Sequence, residues 1–119
     1  MNFFLTLVFG LIIQGEEPQM YNVKWACDEP ICYIEQEAPL HNVDVDTAIN
    51  IAFAESGFEP LATNYNKNGT WDKGIYQIND VHNVPDTCRL DFRCNIDWAM
   101  DEMEKNGTGA WYSSEHRWR

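Results

Sequence analysis

The sequence changes its hydrophobic pattern abruptly after Gly57, and this change limits the folds that are open to the chain. Residues 47–56 carry apolar side chains at the spacing of an amphipathic helix. Residues 61–79 instead place Asn68-Gly69 between threonine- and aromatic-containing stretches, which is a strong signal for a β-hairpin. A chain of 119 residues suits one domain. We therefore predict a single α+β domain that is mainly helical, with a small antiparallel sheet.

The predicted helix over residues 47–56 has an unexpected carboxylate on its apolar face. Asp44 or Asp46 can cap the helix, and Gly57 can end it. Glu55 shares its face with three apolar residues at helical spacing, Ala48, Ile51 and Ala52. A charged group at the end of an apolar stripe requires an explanation beyond packing.

The sheet and a second helix follow along the chain. The small sheet is expected to end at Gly74. A helix is predicted over residues 95–105, with Asn95 as its cap and Gly107 as its end. Its apolar face is formed by residues at helical spacing, Ile96, Ala99, Met100 and Met103.

The charge of the chain excludes several classes of partner. The sequence contains 19 acidic and 8 basic side chains, which gives a formal net charge of −11 at pH 7. Nucleic-acid binding depends on neutralising phosphates with lysine and arginine, so we expect no nucleic-acid partner. The same charge disfavours docking on an anionic membrane surface. A hydrophobic share of 45% is sufficient for a packed core.

The N-terminal residues have the character of an export signal. Residues 1–15 contain no charged side chain, and their apolar run is shorter than the ~20 residues that a membrane span requires. We predict a signal peptide at residues 1–15 and no integral membrane span; the alternative is a core strand or helix that stays in the protein. Residues 16–43, with three prolines and one cysteine pair, are predicted to form an irregular lead-in to a domain at residues 44–119.

Four cysteines form two close pairs, Cys27 with Cys32 and Cys88 with Cys94. An even number in a small exported domain is typical of disulfides, and four cysteines permit three pairings. We favour closure within each close pair. The alternative is a structural zinc site, but four and five intervening residues fit the usual zinc spacing poorly. We therefore expect no metal and no cofactor, and structural roles for the scattered His41, His82 and His116.

Glu55 and Asp72 are predicted to lie in unlike surroundings. The helix dipole and burial beside apolar residues both act to raise the pKa of Glu55. Asp72 follows on the hairpin among polar side chains that can keep it ionised, including Asn64 and Asn66. Two carboxyl groups whose environments separate their pKa values indicate an acid/base pair, and cleavage of a glycosidic bond uses such a pair.

Aromatic residues cluster around the same segment. Tyr65, Trp71 and Tyr76 lie in or next to the predicted hairpin, and Trp111-Tyr112 lies near the C-terminus. Flat rings with a polar edge suit the faces of sugars, although packing in the core is an equally good interpretation of these rings.

Residues 55–79 resemble the active-site segment of the lysozyme-like superfamily. The resemblance rests on ESGF at residues 55–58 and on ATNYNKNGTWDKGIYQIN at residues 62–79. The segment is similar to small bacterial and phage lytic transglycosylases of the SLT type, and in spacing to animal c-type lysozymes. The resemblance implies a lysozyme-like fold, with a small hairpin sheet beside an active-site cleft. It also implies cleavage of the β-1,4 bond between N-acetylmuramic acid and N-acetylglucosamine in peptidoglycan.

The resemblance assigns expected roles to individual residues. Glu55 matches the catalytic acid, and Asp72 matches the second carboxylate that lysozymes and some transglycosylases possess. Gly74 matches a position where the backbone passes close to the cleft. The residues expected to support the acid or contact substrate are Ser56, Asn64, Asn66, Gly74, Tyr76, Gln77, Asn79, Trp111 and Tyr112.

The resemblance leaves the reaction open. A lytic transglycosylase is favoured, because the cysteine spacing is not that of c-type lysozymes and the hairpin sequence is similar to the transglycosylase branch. The presence of Asp72 favours a hydrolytic lysozyme instead, with Asp72 as nucleophile or stabiliser. A non-catalytic peptidoglycan-binding or virion structural protein is a further alternative. The expected partner is the peptidoglycan glycan strand, in an exported or virion-associated protein that a larger phage or secretion assembly could deliver.

Overall fold

The computed structural model describes residues 27–119, so the predicted signal peptide at residues 1–15 lies outside the described residues. The first described helix, α1, spans Pro30–Leu40. Proline at the first helical position suits a helix start, because its missing N–H would have no partner there. The described part of the expected lead-in, residues 27–43, contains this helix. The buried side chains of Tyr33, Ile34 and Ala38 join α1 to the main core.

The helix that carries Glu55 forms as the sequence predicts. Helix α2 spans Val45–Ser56. Asp44 is its cap, with a carboxylate oxygen that accepts a hydrogen bond from the Thr47 N–H at 2.9 Å. Gly57 ends the helix in the left-handed conformation, with φ of 62°.

The hairpin is confirmed, and a third short strand extends it. Strands β1 (Thr63–Tyr65), β2 (Trp71–Lys73) and β3 (Ile78–Asn79) form an antiparallel sheet in the order β1-β2-β3. Asp72 lies on the central strand, opposite Asn64 on one side and Asn79 on the other. The small sheet thus places one carboxylate between two amide side chains.

Three further α-helices follow the sheet along the chain. Helix α3 spans Asp86–Arg89, α4 spans Phe92–Asn106 and α5 spans Glu115–Trp118. Short 3-10 helices lie at Asp80–His82 and Gly109–Ser114. No helix among residues 27–119 is both long and apolar enough to cross a membrane.

Asn95 is not the cap of α4, which corrects the prediction. Asp91 caps the helix instead, by accepting a hydrogen bond from the Cys94 N–H. Asn95 lies one turn further on and is fully buried. Its side chain accepts from the Tyr76 N–H at 2.9 Å and donates to the carbonyl oxygens of Lys73 and Arg89 at 3.1 and 2.9 Å. The helix is therefore tied to the segment between β2 and β3.

Both predicted disulfides are present. Cys27 pairs with Cys32 at a Cα–Cα distance of 5.4 Å, and Cys88 pairs with Cys94 at 5.0 Å. The first disulfide joins the residues just before α1 to its first turn. The second joins α3 to the first turn of α4. Because all four thiols are used in this way, the cysteines do not form a zinc site.

Candidate active site

A cleft of about 490 Å³ lies between the sheet, the end of α2 and the C-terminal 3-10 helix. This volume is within the ~300–1,000 Å³ that is usual for small-molecule sites. Its walls combine carboxylates, amides and aromatic rings. The lining residues are Glu55, Asn66, Lys67, Asn68, Asp72, Gln77, Ile78, Asn79, His82, Trp98, Ala110, Trp111 and Ser113.

Glu55 lies in the last turn of α2, where its half-buried carboxyl group lines the cleft. The Ser114 hydroxyl donates a hydrogen bond to this carboxyl group. Burial is the largest influence and raises the pKa of Glu55; the negative charge of Asp72 also raises it. The hydrogen bond from Ser114 and the positive charge of Arg117 act in the opposite direction but do not cancel the shift. Glu55 thus holds its proton to higher pH than an exposed glutamate.

Asp72 lines the same cleft from β2, in a polar environment. The Asn79 side-chain amide donates to its carboxylate at 2.7 Å. Asn79 also donates to the Thr70 hydroxyl at 2.9 Å, which fixes the orientation of the amide. The asparagines expected around Asp72 have other partners: Asn64 donates to Gln77, and Asn66 donates to Thr70. A single amide from β3, rather than the hairpin turn, therefore supports the carboxylate.

Four of the nine predicted substrate-binding residues line the cleft together with Glu55 and Asp72. They are Asn66, Gln77, Asn79 and Trp111. Gln77 is almost fully buried, and its amide donates to the carbonyl oxygens of Ala62 and Gly74 at 3.1 and 3.0 Å. The Trp111 indole N–H donates to the Tyr76 carbonyl oxygen at 2.9 Å. Both side chains are therefore held in place before any ligand binds.

Three other predicted residues support the site from within the fold instead of lining the cleft. Tyr76 is fully buried, and its hydroxyl donates to the Ala48 carbonyl oxygen at 2.7 Å, so the interpretation as a core residue is correct. Ser56 donates to the Ile75 carbonyl oxygen at 2.8 Å and not to the neighbouring glutamate. The close approach at Gly74 is to α3 and α4 rather than to the cleft, because an added Cβ would lie 2.0 Å from the Arg89 carbonyl oxygen and 2.2 Å from the Asn95 amide nitrogen.

The last two predicted residues also lie outside the cleft lining. Asn64 is exposed on β1 and acts through its hydrogen bond to Gln77, at 2.7 Å. Tyr112 is exposed over 67% of its surface, although its neighbour Trp111 is buried. Tyr65 and Trp71, the other predicted sugar-stacking rings, pack against each other with centroids 4.9 Å apart and likewise do not line the cleft.

Several cleft residues were missed by the sequence reasoning. Ser114 contacts Glu55 across 59 positions of the chain, and no local pattern marks such a contact. Trp98 and His82 line the cleft with their rings 4.8 Å apart, whereas a structural role alone was expected for the histidine. The position of Trp98 on the α4 helix, off its apolar stripe, was the one available signal.

The described residues do not place a metal site in the cleft. The group that comes nearest to one consists of His41, Asp101 and Glu104, whose ligand atoms lie within 4.8 Å of one another. His41 contacts Glu104 at 2.8 Å, and Lys105 contacts Asp101 at 3.0 Å. None of these residues lines the cleft.

Comparison with known proteins agrees with this geometry. No curated protein gave a significant match to the chain. A family model described as a lysozyme-like domain matches residues 34–116, which is well over half of the chain. The match begins within α1, at residue 34. The chain therefore belongs to the lysozyme-like domain family, and this membership indicates peptidoglycan degradation in general.

Proposed function

We propose that this protein cleaves the β-1,4 bond between N-acetylmuramic acid and N-acetylglucosamine, with Glu55 as general acid and base, and that it is a lytic transglycosylase. One observation carries the proposal. The carboxyl group of Glu55 faces a cleft, with its pKa raised by burial, and shares that cleft with a second carboxylate, Asp72. A carboxylic acid that keeps its proton near neutral pH can protonate a leaving oxygen.

The reaction would begin with Glu55 donating its proton to the glycosidic oxygen as that bond breaks. Positive charge then develops on the muramyl ring, and the carboxylate of Asp72 lies on the cleft wall where it can stabilise this charge. The 6-hydroxyl of the muramyl residue attacks the ring carbon from which the glycosidic oxygen has left, and gives its proton to the Glu55 carboxylate. The products are a free N-acetylglucosamine end and a 1,6-anhydromuramyl end, and the enzyme returns to its starting state.

Hydrolysis is the second candidate, and the position of Asp72 favours it. Asp72 lies in the cleft and accepts a hydrogen bond from Asn79 at 2.7 Å. An oriented carboxylate in the same cleft as the acid can serve as nucleophile or ion stabiliser, with water completing the reaction. The transglycosylase is preferred because the spacing of the cysteines differs from that of c-type lysozymes and the hairpin sequence resembles the transglycosylase branch.

The products distinguish the two reactions. Purified peptidoglycan is incubated with the wild-type protein or with Glu55→Gln, and the soluble fragments are identified by mass spectrometry. We expect the wild-type protein to release fragments with anhydromuramyl ends and Glu55→Gln to release none. Reducing muramyl ends would establish hydrolysis instead. If neither protein releases fragments, the enzymatic proposal fails, and retained binding of both proteins to peptidoglycan would favour the non-catalytic binding protein.

We further propose that the protein acts outside the cytoplasm, in agreement with its two disulfides and its peptidoglycan-acting family. Delivery by a larger phage or secretion assembly is a separate proposal, suggested by the acidic charge of −11. A wall-binding assay tests it. Purified protein that stays on isolated cell wall through a salt wash, without any other component, would contradict delivery by an assembly.

A further inference from the structure

Arg89 is a buried cation that the proposed reaction does not use. It lies at the end of α3, and only 6% of its surface is exposed. One guanidinium nitrogen forms ion pairs with Asp80 and Asp86, at 2.9 and 2.8 Å. Another donates to the carbonyl oxygens of Ile78 and Trp71, at 2.9 and 3.4 Å. The side chain therefore contacts β2, β3 and the 3-10 helix that follows the sheet.

These contacts flank the second carboxylate of the cleft. Trp71 and Ile78 immediately precede Asp72 and Asn79, the two residues whose side chains hydrogen-bond to each other. The Trp71 N–H donates to Asp80 at 2.9 Å, and Asp80 is itself paired with Arg89. Both backbone groups of Trp71 are thus fixed by one ionic cluster. The cluster therefore contacts both β2 and β3 next to the position where the Asn79 amide bonds to the Asp72 carboxylate.

Strand pairing alone holds this region weakly, because β3 has only two residues. An arginine fork supplies several donors in a fixed geometry, which lysine cannot reproduce. Arg89 is also well anchored. Its carbonyl oxygen accepts from Asn95 at 2.9 Å, and the preceding Cys88 is bonded to Cys94 on α4. Arg89 therefore connects α3 and α4 to strands β2 and β3.

We propose that Arg89 is a positioning residue that aligns Asp72 and Asn79 on the cleft wall. This inference rests on the proposed function, because alignment affects turnover only if the Asp72 wall takes part in the reaction. Arg89 acts through backbone carbonyl groups and does not line the cleft.

A double-mutant cycle tests the inference. We expect Arg89→Lys to lower kcat by about tenfold, equivalent to ~1.4 kcal/mol, with little change in KM. In the Asp72→Asn background, the same change should cost about twofold or less, because the carboxylate that it aligns is gone. Equal losses in both backgrounds, or an unchanged kcat, would overturn the inference. Arg93→Lys is the matched control, since Arg93 is partly buried on α4 and bonds to the Cys27 carbonyl oxygen.

A second measurement does not depend on turnover. The side-chain amide resonances of Asn79 are compared by NMR in the wild type, in Arg89→Lys and in Asp72→Asn at one pH. Because the Asn79 amide donates to Asp72, Arg89→Lys should move these resonances away from their wild-type positions and towards those of Asp72→Asn. Unchanged resonances in Arg89→Lys would overturn the positioning role. Moved resonances in a protein that releases no fragments would retain the positioning role and reject the proposed function.

Should Arg89→Lys fail to fold, Asp80→Asn tests the same cluster. It removes the ion pair with Arg89 but keeps an oxygen that can accept from the Trp71 N–H. A loss of kcat that is confined to the background with an intact Asp72 is expected. Loss of equal size in both backgrounds would contradict the inference.

Discussion

The helix end that carries Glu55 and the sheet that carries Asp72 are built by different physical means. Apolar packing surrounds the first, with Ile51 and Ala52 fully buried one turn earlier on the same helix. Polar side chains hold the second, through Asn79 and the buried cation Arg89. Burial disfavours the charged form of Glu55 and raises its pKa. The two carboxyl groups of one cleft therefore lie in unlike surroundings.

The two regions should also differ in how their folding responds to amino-acid substitutions. The end of α2 packs on the apolar core, and the helix does not depend on Glu55 for its cap or its end. The sheet has strands of two and three residues, so its geometry depends on a few side-chain contacts. Substitutions at Glu55 should therefore affect chemistry more than folding, and substitutions beneath the sheet should affect both.

The largest effect is expected from Glu55→Gln. Glutamine keeps the shape of the side chain and its ability to accept from Ser114, but it cannot donate a proton. We expect the rate of fragment release to fall by ~1,000-fold, within the range for loss of a general acid. Glu59→Gln is the control, because Glu59 is exposed and close in sequence. Residual activity above one tenth of wild type would contradict the assignment of Glu55 as the acid.

The Glu55→Gln variant should also gain stability relative to the wild type as the pH rises. The pKa of Glu55 is raised in the folded state, so the stability that it contributes is present at low pH and is lost as pH rises through that pKa. Glutamine has no such loss. Thermal unfolding from pH 4 to pH 8 should show a growing advantage for Glu55→Gln over the wild type, and a constant difference would contradict burial as the dominant influence.

The next largest effect is expected beneath the sheet, from Gly74→Ala. Gly74 has φ of +83°, and an added Cβ would lie 2.0 Å from the Arg89 carbonyl oxygen and 2.2 Å from the Asn95 amide nitrogen. Strain and overpacking together should lower the free energy of unfolding by about 3 kcal/mol. Chemical denaturation measures this loss. Gly109→Ala is the control, because its Cβ would meet no atom within 4 Å, and it should leave stability nearly unchanged.

A smaller effect is expected from Asp72→Asn, which removes the charge but retains the size of the side chain. We expect kcat to fall by roughly 100-fold, the size of loss when one preorganised charge-stabilising group is removed. Asp28→Asn, at an exposed position near the start of α1, controls for the change in net charge. An unchanged kcat would show that the cation is stabilised by other groups. Loss of activity equal to that of Glu55→Gln would favour Asp72 as a nucleophile.

The sequence predicted the local features of this molecule and missed most of the distant contacts. The α2 helix, its Asp44 cap, the hairpin and both disulfides follow from patterns within a few residues. The direction of the Glu55 pKa shift also follows, because burial on the apolar face is visible in the helical spacing. Helix α1 was missed because its two prolines suggested irregular structure, whereas Pro30 occupies the first turn, where a helix tolerates proline, and Pro39 lies inside the helix next to its last residue.

The site residues show the same division. Asp72 was correctly placed among polar groups, but its partner Asn79 belongs to a strand of two residues that no pattern marks. Ser114 and Arg89 contact the site region from segments that only the tertiary fold brings close. Residues that act through such contacts have ordinary sequence surroundings. Conversely, Tyr76 and Gly74 are close to the site in sequence, yet they serve the packing beneath it.

The smallest expected effect is the most specific test of the contrast between the two walls. The Ser114 hydroxyl donates to Glu55 and lowers its pKa against the larger effect of burial. Removing it with Ser114→Ala should raise the pKa of Glu55 further. Because the acid must be protonated, the alkaline limb of the pH–rate profile should move to higher pH.

Ser113→Ala is the matched control for this shift. Ser113 is exposed and lines the same cleft, but the hydroxyl that donates to Glu55 belongs to Ser114. Ser114 also accepts from the Trp118 indole N–H at 3.1 Å, so Ser114→Ala should lower the melting temperature slightly as well. That loss of stability does not move a pH profile. A shift of the alkaline limb to lower pH would mean that the hydroxyl favours the protonated acid, which would contradict a hydrogen bond donated by Ser114 to the Glu55 carboxylate.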